Sequence, residues 1–150
     1  MKSKIKFLFI ALIIIIIDQF CKFNVISFEK TIGINKLFTV ANYSNFEQAY
    51  SLGVDSIILL LAINILLIYF LLRILVKSFN DMSNANILGI ILILAGEFSN
   101  LFDRIFRGYI VKFVKIFDSI PFNMAHVSII GGIIIIIAST LIVMLKAQEN

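Results

Sequence analysis

Tryptophan is missing from this chain, and cysteine and histidine occur once each, as Cys21 and His126. A lone cysteine excludes an internal disulfide framework and any metal site built on cysteines. With only one histidine beside it, a structural zinc site has too few soft ligands. Charge is scarce as well: 15% of residues are charged against 61% apolar, and mean hydropathy is +1.05. A soluble domain of 150 residues cannot hide that much apolar surface in one core, so the composition calls for lipid as solvent. The net charge of +4 comes from short flanking segments and not from a basic face. That disfavours nucleic acid as a partner and favours membrane lipids with anionic headgroups. The excess of Ile, Phe, Asn and Lys reads as an AT-rich coding bias without chemical meaning.

Four apolar runs organise what is present. They predict membrane spans at about 5–23, 57–76, 87–103 and 127–145 in a single domain covering 1–150. None alternates as barrel strands do, so the expected fold class is all-α and integral to the membrane, with four helices. The first run follows Lys2, Lys4 and Lys6 and ends near Cys21, as a lipoprotein signal would. Cleavage there needs small residues before the cysteine, whereas Gln19 and Phe20 precede it, so the run is expected to stay as the first span.

The same three lysines, with Arg73, Lys77 and Lys146, predict both termini in the cytoplasm. Arg107, Lys112 and Lys115 on the other side leave the orientation resting mainly on the N-terminal lysines. Between spans one and two, Ile32, Ile34, Leu37, Phe38, Val40 and Tyr43 alternate with Gly33, Asn35, Asn42 and Asn45. That pattern predicts a small outward-facing β element.

Polar residues at membrane depth each ask for a partner or a job. Asp18 and Lys22, four apart, share a helix face and are expected to pair locally at the headgroups. Glu97, Asn100 and Arg104 follow one helical stripe, with Asp103 one turn past Asn100. A structural seam between helices would explain either set alone; their convergence at one leaflet points to a site.

Four motifs, in order along the chain, carry a resemblance. Asp18-Gln19-Phe20-Cys21-Lys22 is similar to the Asp-Gln-x-x-Lys box of bacterial lipoprotein signal peptidases (signal peptidase II). Asn45-Phe46-Glu47-Gln48-Ala49-Tyr50-Ser51 resembles that family's Asn-x-Gly-Ala-Ala-Phe-Ser box, with Glu47 where the family has glycine. Gly96 to Gly108, GEFSNLFDRIFRG, resembles its Gly-Asn-x-x-Asp-Arg-x-x-x-Gly box, and Phe122-Asn123-Met124-Ala125-His126 its Phe-Asn-x-Ala-Asp box. The resemblance implies an intramembrane aspartyl protease, a hydrolase of the bacterial inner membrane. Such an enzyme cuts a signal peptide just before a diacylglyceryl-modified cysteine. Its partners would be membrane lipids and a lipid-modified prolipoprotein or signal helix; no nucleic acid, metal or organic cofactor is implied, and a monomer is expected.

Two carboxyls held close share a proton, so one can act as base while the other acts as acid. By resemblance Asp103 fills the first position, at the end of span three. His126 stands in the second, where the family has aspartate. Arg104 is then expected beside the pair, and Asn45 and Asn123 are expected to orient carbonyls, with Asp18, Lys22 and Asn100 in support. Lys112, too, stands where a matching family stretch usually carries aspartate. Asp118 is the nearest spare carboxylate before His126, eight residues away.

Three readings of His126 stay open: an altered acid–base pair with Asp103, a catalytically silent homologue, or an unrelated four-span protein. The silent homologue would bind lipopeptide, signal helix or a peptidase inhibitor. In the unrelated protein, His126 would merely cap a helix.

Overall fold

A computed structural model of the chain describes residues 2–27, 32–35, 38–43, 53–117 and 120–148. Four long helices dominate: α1 (Lys2–Ile26), α2 (Gly53–Ser78), α3 (Asn84–Arg107) and α4 (Met124–Gln148). Each is long and apolar enough to cross a bilayer, as runs of aliphatic residues without backbone partners outside the helix must be in lipid. Each contains one of the apolar runs read from the sequence.

The helices are not equivalent. In its most apolar stretch α3 is 56% buried, against 17% for α1 and α2 and 6% for α4. α3 is the central helix, touching α1, α2 and α4. The outer helices present large apolar side chains outward, among them Phe9 and Ile16 of α1, Leu66 and Phe70 of α2, and Ile134 and Val143 of α4. Inside lie Asp18, Lys22, Asn64, Ser99, Asn100, Asp103 and Asn123. Polar residues inside and aliphatic ones outside is the distribution that lipid imposes.

Small residues let α3 and α4 approach closely. A Cβ built on Gly96 would lie 2.5 Å from the Ala125 carbonyl oxygen, and Gly89 meets Gly132 farther along the same seam. Ser128 Oγ donates to the Leu92 carbonyl at 2.7 Å and ties the seam in the middle. On the other side of α3, Ile90 and Leu94 pack against Ile68 of α2.

Both ends of α3 have a local cause. Ser83 caps its start by accepting from the Asn86 amide at 3.1 Å. Gly108, at φ 78°, stops it in the left-handed region that glycine enters without strain. The chain then turns back toward the bundle.

The β element has three strands. β1 (Ile32–Asn35) pairs antiparallel with β2 (Phe38–Val40), and β2 with β3 (Val114–Ile116), in the order β1-β2-β3. Val40 sits opposite Val114 and Thr39 opposite Lys115. The first connection supplies two strands as its alternation predicts; the third comes from the α3–α4 connection, where three residues are too few to show a period. Phe113 and Val114 pack on Val25, with Cys21, Val40 and Phe122 around them, so the sheet is seated on the end of α1.

Candidate active site at one end of α1, α3 and α4

A buried ionic cluster joins α1 to α3. Lys22 Nζ lies 2.5 Å from Asp18 Oδ2 and 2.7 Å from Asp103 Oδ2, and all three side chains are fully buried. It also donates to Asn100 Oδ1 at 3.4 Å. Asp18 and Lys22 meet because they lie one turn apart on α1; Asp103 meets them because α3 packs along that face. The expected Asp18–Lys22 pair is present, and both side chains are fully buried inside the protein. The pair is half of an interior network with Asp103 at its centre.

Each oxygen of the Asp103 carboxylate has two partners. Asp103 Oδ1 accepts from Gln19 Nε2 at 3.1 Å and from Arg107, and its Oδ2 accepts from the Val111 amide at 3.1 Å besides Lys22. Arg107 also donates to Gln19 Oε1 at 2.8 Å and lies over the Phe102 ring. Asp18 takes the Ser99 hydroxyl at 2.6 Å and the Ala125 amide at 3.0 Å, in the first turn of α4. An anion there complements the helix dipole. Two carboxylates thus face two cations, the balance that keeps buried charge tolerable.

The second half of the site is built by Asn123, which caps α4. Its Oδ1 accepts the His126 amide at 2.9 Å, while its Nδ2 donates to the Val111 carbonyl at 2.8 Å and to Asn100 Oδ1 at 3.3 Å. His126 Nδ1 lies 2.5 Å from the same Asn123 Oδ1. Because the Val111 carbonyl can only accept, the orientation of the Asn123 amide is fixed. Its oxygen can then only accept from the ring, so Nδ1 carries the proton, and among the described residues Nε2 has no hydrogen-bond partner.

Among the described residues no hydrogen bond or ion pair joins His126 to Asp103. The expectation that the two side chains face each other as a pair is not met: they communicate through Lys22, Asn100 and Asn123. The charges around His126 are Lys112 foremost, then Lys22, Asp18 and Arg104. Lys112 is brought there by its neighbours, since Val111 is held at both backbone groups and the Lys112 carbonyl accepts from the Tyr43 amide at 3.0 Å.

Arg104 lies in the electrostatic field of both Asp103 and His126, but among the described residues it makes no hydrogen bond or ion pair to Asp103. It is Arg107, one turn beyond Asp103, that grips the carboxylate; Arg104 lies in the field of Glu97 and Asp103, its Nη1 buried and without a hydrogen-bond partner among the described residues. The stripe of Glu97, Asn100 and Arg104 also divides. Asn100 turns to Lys22 and Asn123, and Glu97 turns to Asn64 of α2. Asn45, Glu47 and Asp118 fall outside the described residues. Gln19, Ser99, Arg107 and the Val111 amide were not foreseen in the site; the four-residue step from Asp103 to Arg107 was the signal that could have found one of them. No group of metal-ligating side chains occurs among the described residues.

Comparison with known proteins agrees with this architecture. The family described as Signal peptidase (SPase) II matches residues 10–142. A lipoprotein signal peptidase of Haemophilus ducreyi is 31% identical, covering 93% of this chain and 92% of the relative. One from Wigglesworthia glossinidia brevipalpis is 33% identical over 91% and 94% of the two chains. One from Fusobacterium nucleatum is 32% identical over 87% and 83%. Two solved structures of bacterial membrane enzymes share the fold, with TM-scores of 0.80 and 0.82 at 23% and 22% identity. They cover 91% and 97% of this chain, and 92% and 93% of their own. A match over most of the length, together with relatives above 30% identity, places the chain in the signal peptidase II family of bacterial multi-pass membrane proteins.

Proposed function

We propose that this chain acts on lipoprotein precursors in the bacterial inner membrane as a lipoprotein signal peptidase, removing the signal segment before a diacylglyceryl-modified cysteine. The reading is carried by the full-length likeness to proteins of that name, joined to a buried polar cluster at one end of four membrane-length helices. The chain is one four-span domain over about 5–23, 57–76, 87–103 and 127–145, working as a monomer with both termini cytoplasmic. Lys77 and Lys146, in the last turns of α2 and α4, support that orientation. The substrate enters sideways from the bilayer, and its signal helix packs on the outward apolar faces.

The division of labour between Asp103 and His126 follows from their surroundings. Asp103, with both carboxylate oxygens engaged by two cations, the Gln19 amide and the Val111 amide, serves as the frame. His126, with Nδ1 committed to Asn123, has Nε2 free to take a proton from water as the water oxygen attacks the scissile carbonyl. The same proton then goes to the departing amine. Lys112 and Arg104 are the cations available to the oxyanion formed in between.

The catalytically silent reading rests on one observation: the described residues contain no pair of carboxyls able to share a proton at His126. A single assay separates the two. The purified chain is given a lipid-modified prolipoprotein, beside His126→Ala, His126→Asp and a Lys112→Asp/His126→Asp double variant. Cleavage by the unaltered chain, lowered about 10²–10⁴-fold in His126→Ala, is the expected result. Cleavage that appears only in the double variant would establish the silent reading with an intact groove.

A further inference from the structure

One polar group of α3 takes no part in the cluster around Asp103. Glu97 faces α2 instead, where it accepts from Asn64 Nδ2. Asn64 stands alone in a run of leucines and isoleucines and is 4% exposed. Glu97 lies in the electrostatic field of Arg104, seven residues on and thus nearly two whole turns along the same face. Among the described residues two buried atoms here have no hydrogen-bond partner: Asn64 Oδ1, an acceptor, and Arg104 Nη1, a donor. Polar atoms left open at membrane depth are costly, because no bulk water is there to serve them.

Position narrows what could serve them. Glu97 precedes Asp103 by six residues, which at 1.5 Å per residue puts it about 9 Å farther into the bilayer. Acyl chains and ester carbonyls carry no donor for Asn64 Oδ1. A peptide group carries one donor and one acceptor, and a signal helix that opens near its cut leaves such groups bare in lipid. Glu97 fixes the geometry: its Oε2 accepts from Asn64 Nδ2, which turns Oδ1 away.

We propose that Asn64, Glu97 and Arg104 form a peptide-binding step where α2 meets α3. Asn64 Oδ1 takes a backbone N–H of the signal segment, and Arg104 Nη1 takes a backbone carbonyl. The step rests on the reading that lipoprotein precursors are the substrate. It acts on binding and positioning, before any bond is cut, and so operates whether or not the chain cleaves.

The test uses the full chain in phosphatidylglycerol-containing nanodiscs and a synthetic lipid-modified signal peptide, with binding read by fluorescence anisotropy. Amide-to-ester replacement, one peptide residue at a time, deletes a single N–H without touching the protein. One position is expected to lose about fivefold to tenfold in affinity. Asn64→Leu is expected to bind the all-amide peptide more weakly by a similar factor, and to show no further loss with that ester. Glu97→Gln, which frees the Asn64 amide to turn over, is expected to weaken the same coupling and serves if Asn64→Leu does not fold. Equal ester effects in the unaltered chain and the variants would overturn the step and assign both atoms to penetrating water. A chain that binds the peptide but shows no coupling loses only this inference; one that binds no lipid-modified signal peptide loses the substrate reading as well.

Discussion

Asp103 and His126 stand on neighbouring helices near one end of the bundle, yet their surroundings are opposite in kind. The carboxylate is fully buried and bound by Lys22, Arg107, Gln19 and the Val111 amide. Among the described residues the imidazole has one hydrogen-bond partner, Asn123, which also accepts the His126 backbone amide, and His126 is partly exposed. A group with both oxygens engaged is a structural tie. A group with one ring nitrogen free is equipped to exchange a proton or meet a ligand. The span ends therefore hold two kinds of polar residue, and burial together with partner count tells them apart where residue type does not.

That contrast is open to attack from the structural side first. Lys22→Met removes the cation shared by Asp18 and Asp103 and leaves two buried carboxylates against Arg107 alone. The expected loss is about 3–5 kcal/mol of stability, seen as a large fall in thermal midpoint of the protein in detergent or as failure to accumulate. A midpoint within a degree or two of the unaltered chain would show that water reaches the cluster and that Asp103 is no tie.

Asp103→Asn is milder, because Lys22 keeps Asp18 and Arg107 keeps Gln19. A loss of about 2 kcal/mol is expected from the weakened charged hydrogen bonds. His126→Ala, by contrast, is expected to change stability by about 1 kcal/mol or less while removing cleavage. If the two variants exchanged these phenotypes, with Asp103→Asn fully stable and inactive, the carboxylate and not the imidazole would be the reacting group.

Gly96→Val tests whether the two regions depend on the same seam. Its side chain would meet the Ala125 carbonyl, one residue before His126 and next to the Asp18 contact. Overpacking of this kind costs about 1–3 kcal/mol, and here it would also part Asp18 from the α4 amide. Activity is expected to fall further than stability, measured as cleavage rate against thermal midpoint across Gly96→Ala and Gly96→Val.

Much of this was legible in the chain, and the residues show where legibility stops. Hydropathy alone located four membrane-length segments, because lipid enforces helices and outward aliphatic faces. The four-residue step from Asp18 to Lys22 announced their contact. The meeting of Lys22 with Asp103, 81 residues apart, is set by how α1 lies along α3, which no local period encodes. Arg104 was the motif's arginine, yet side chains one residue apart diverge by about 100° on a helix, and the four-residue step gave the contact to Arg107. β3 was hidden by its brevity, and Asn64 by the aliphatic run around it.

The smallest expected effect bears most directly on the contrast. Asn123→Ser keeps an oxygen able to cap α4, so the helix should lose only about 0.5–1 kcal/mol. A serine hydroxyl is too short, however, to hold the imidazole while also reaching the Val111 carbonyl and Asn100. The ring would lose its fixed tautomer and its link to the network around Asp103. Turnover is therefore expected to fall about tenfold with the thermal midpoint nearly kept, and histidine ring signals in NMR should change from one tautomer to a mixture. Unchanged ring signals would mean that His126 is oriented by its cationic neighbours, Lys112 above all, and the free Nε2 would then owe nothing to Asn123.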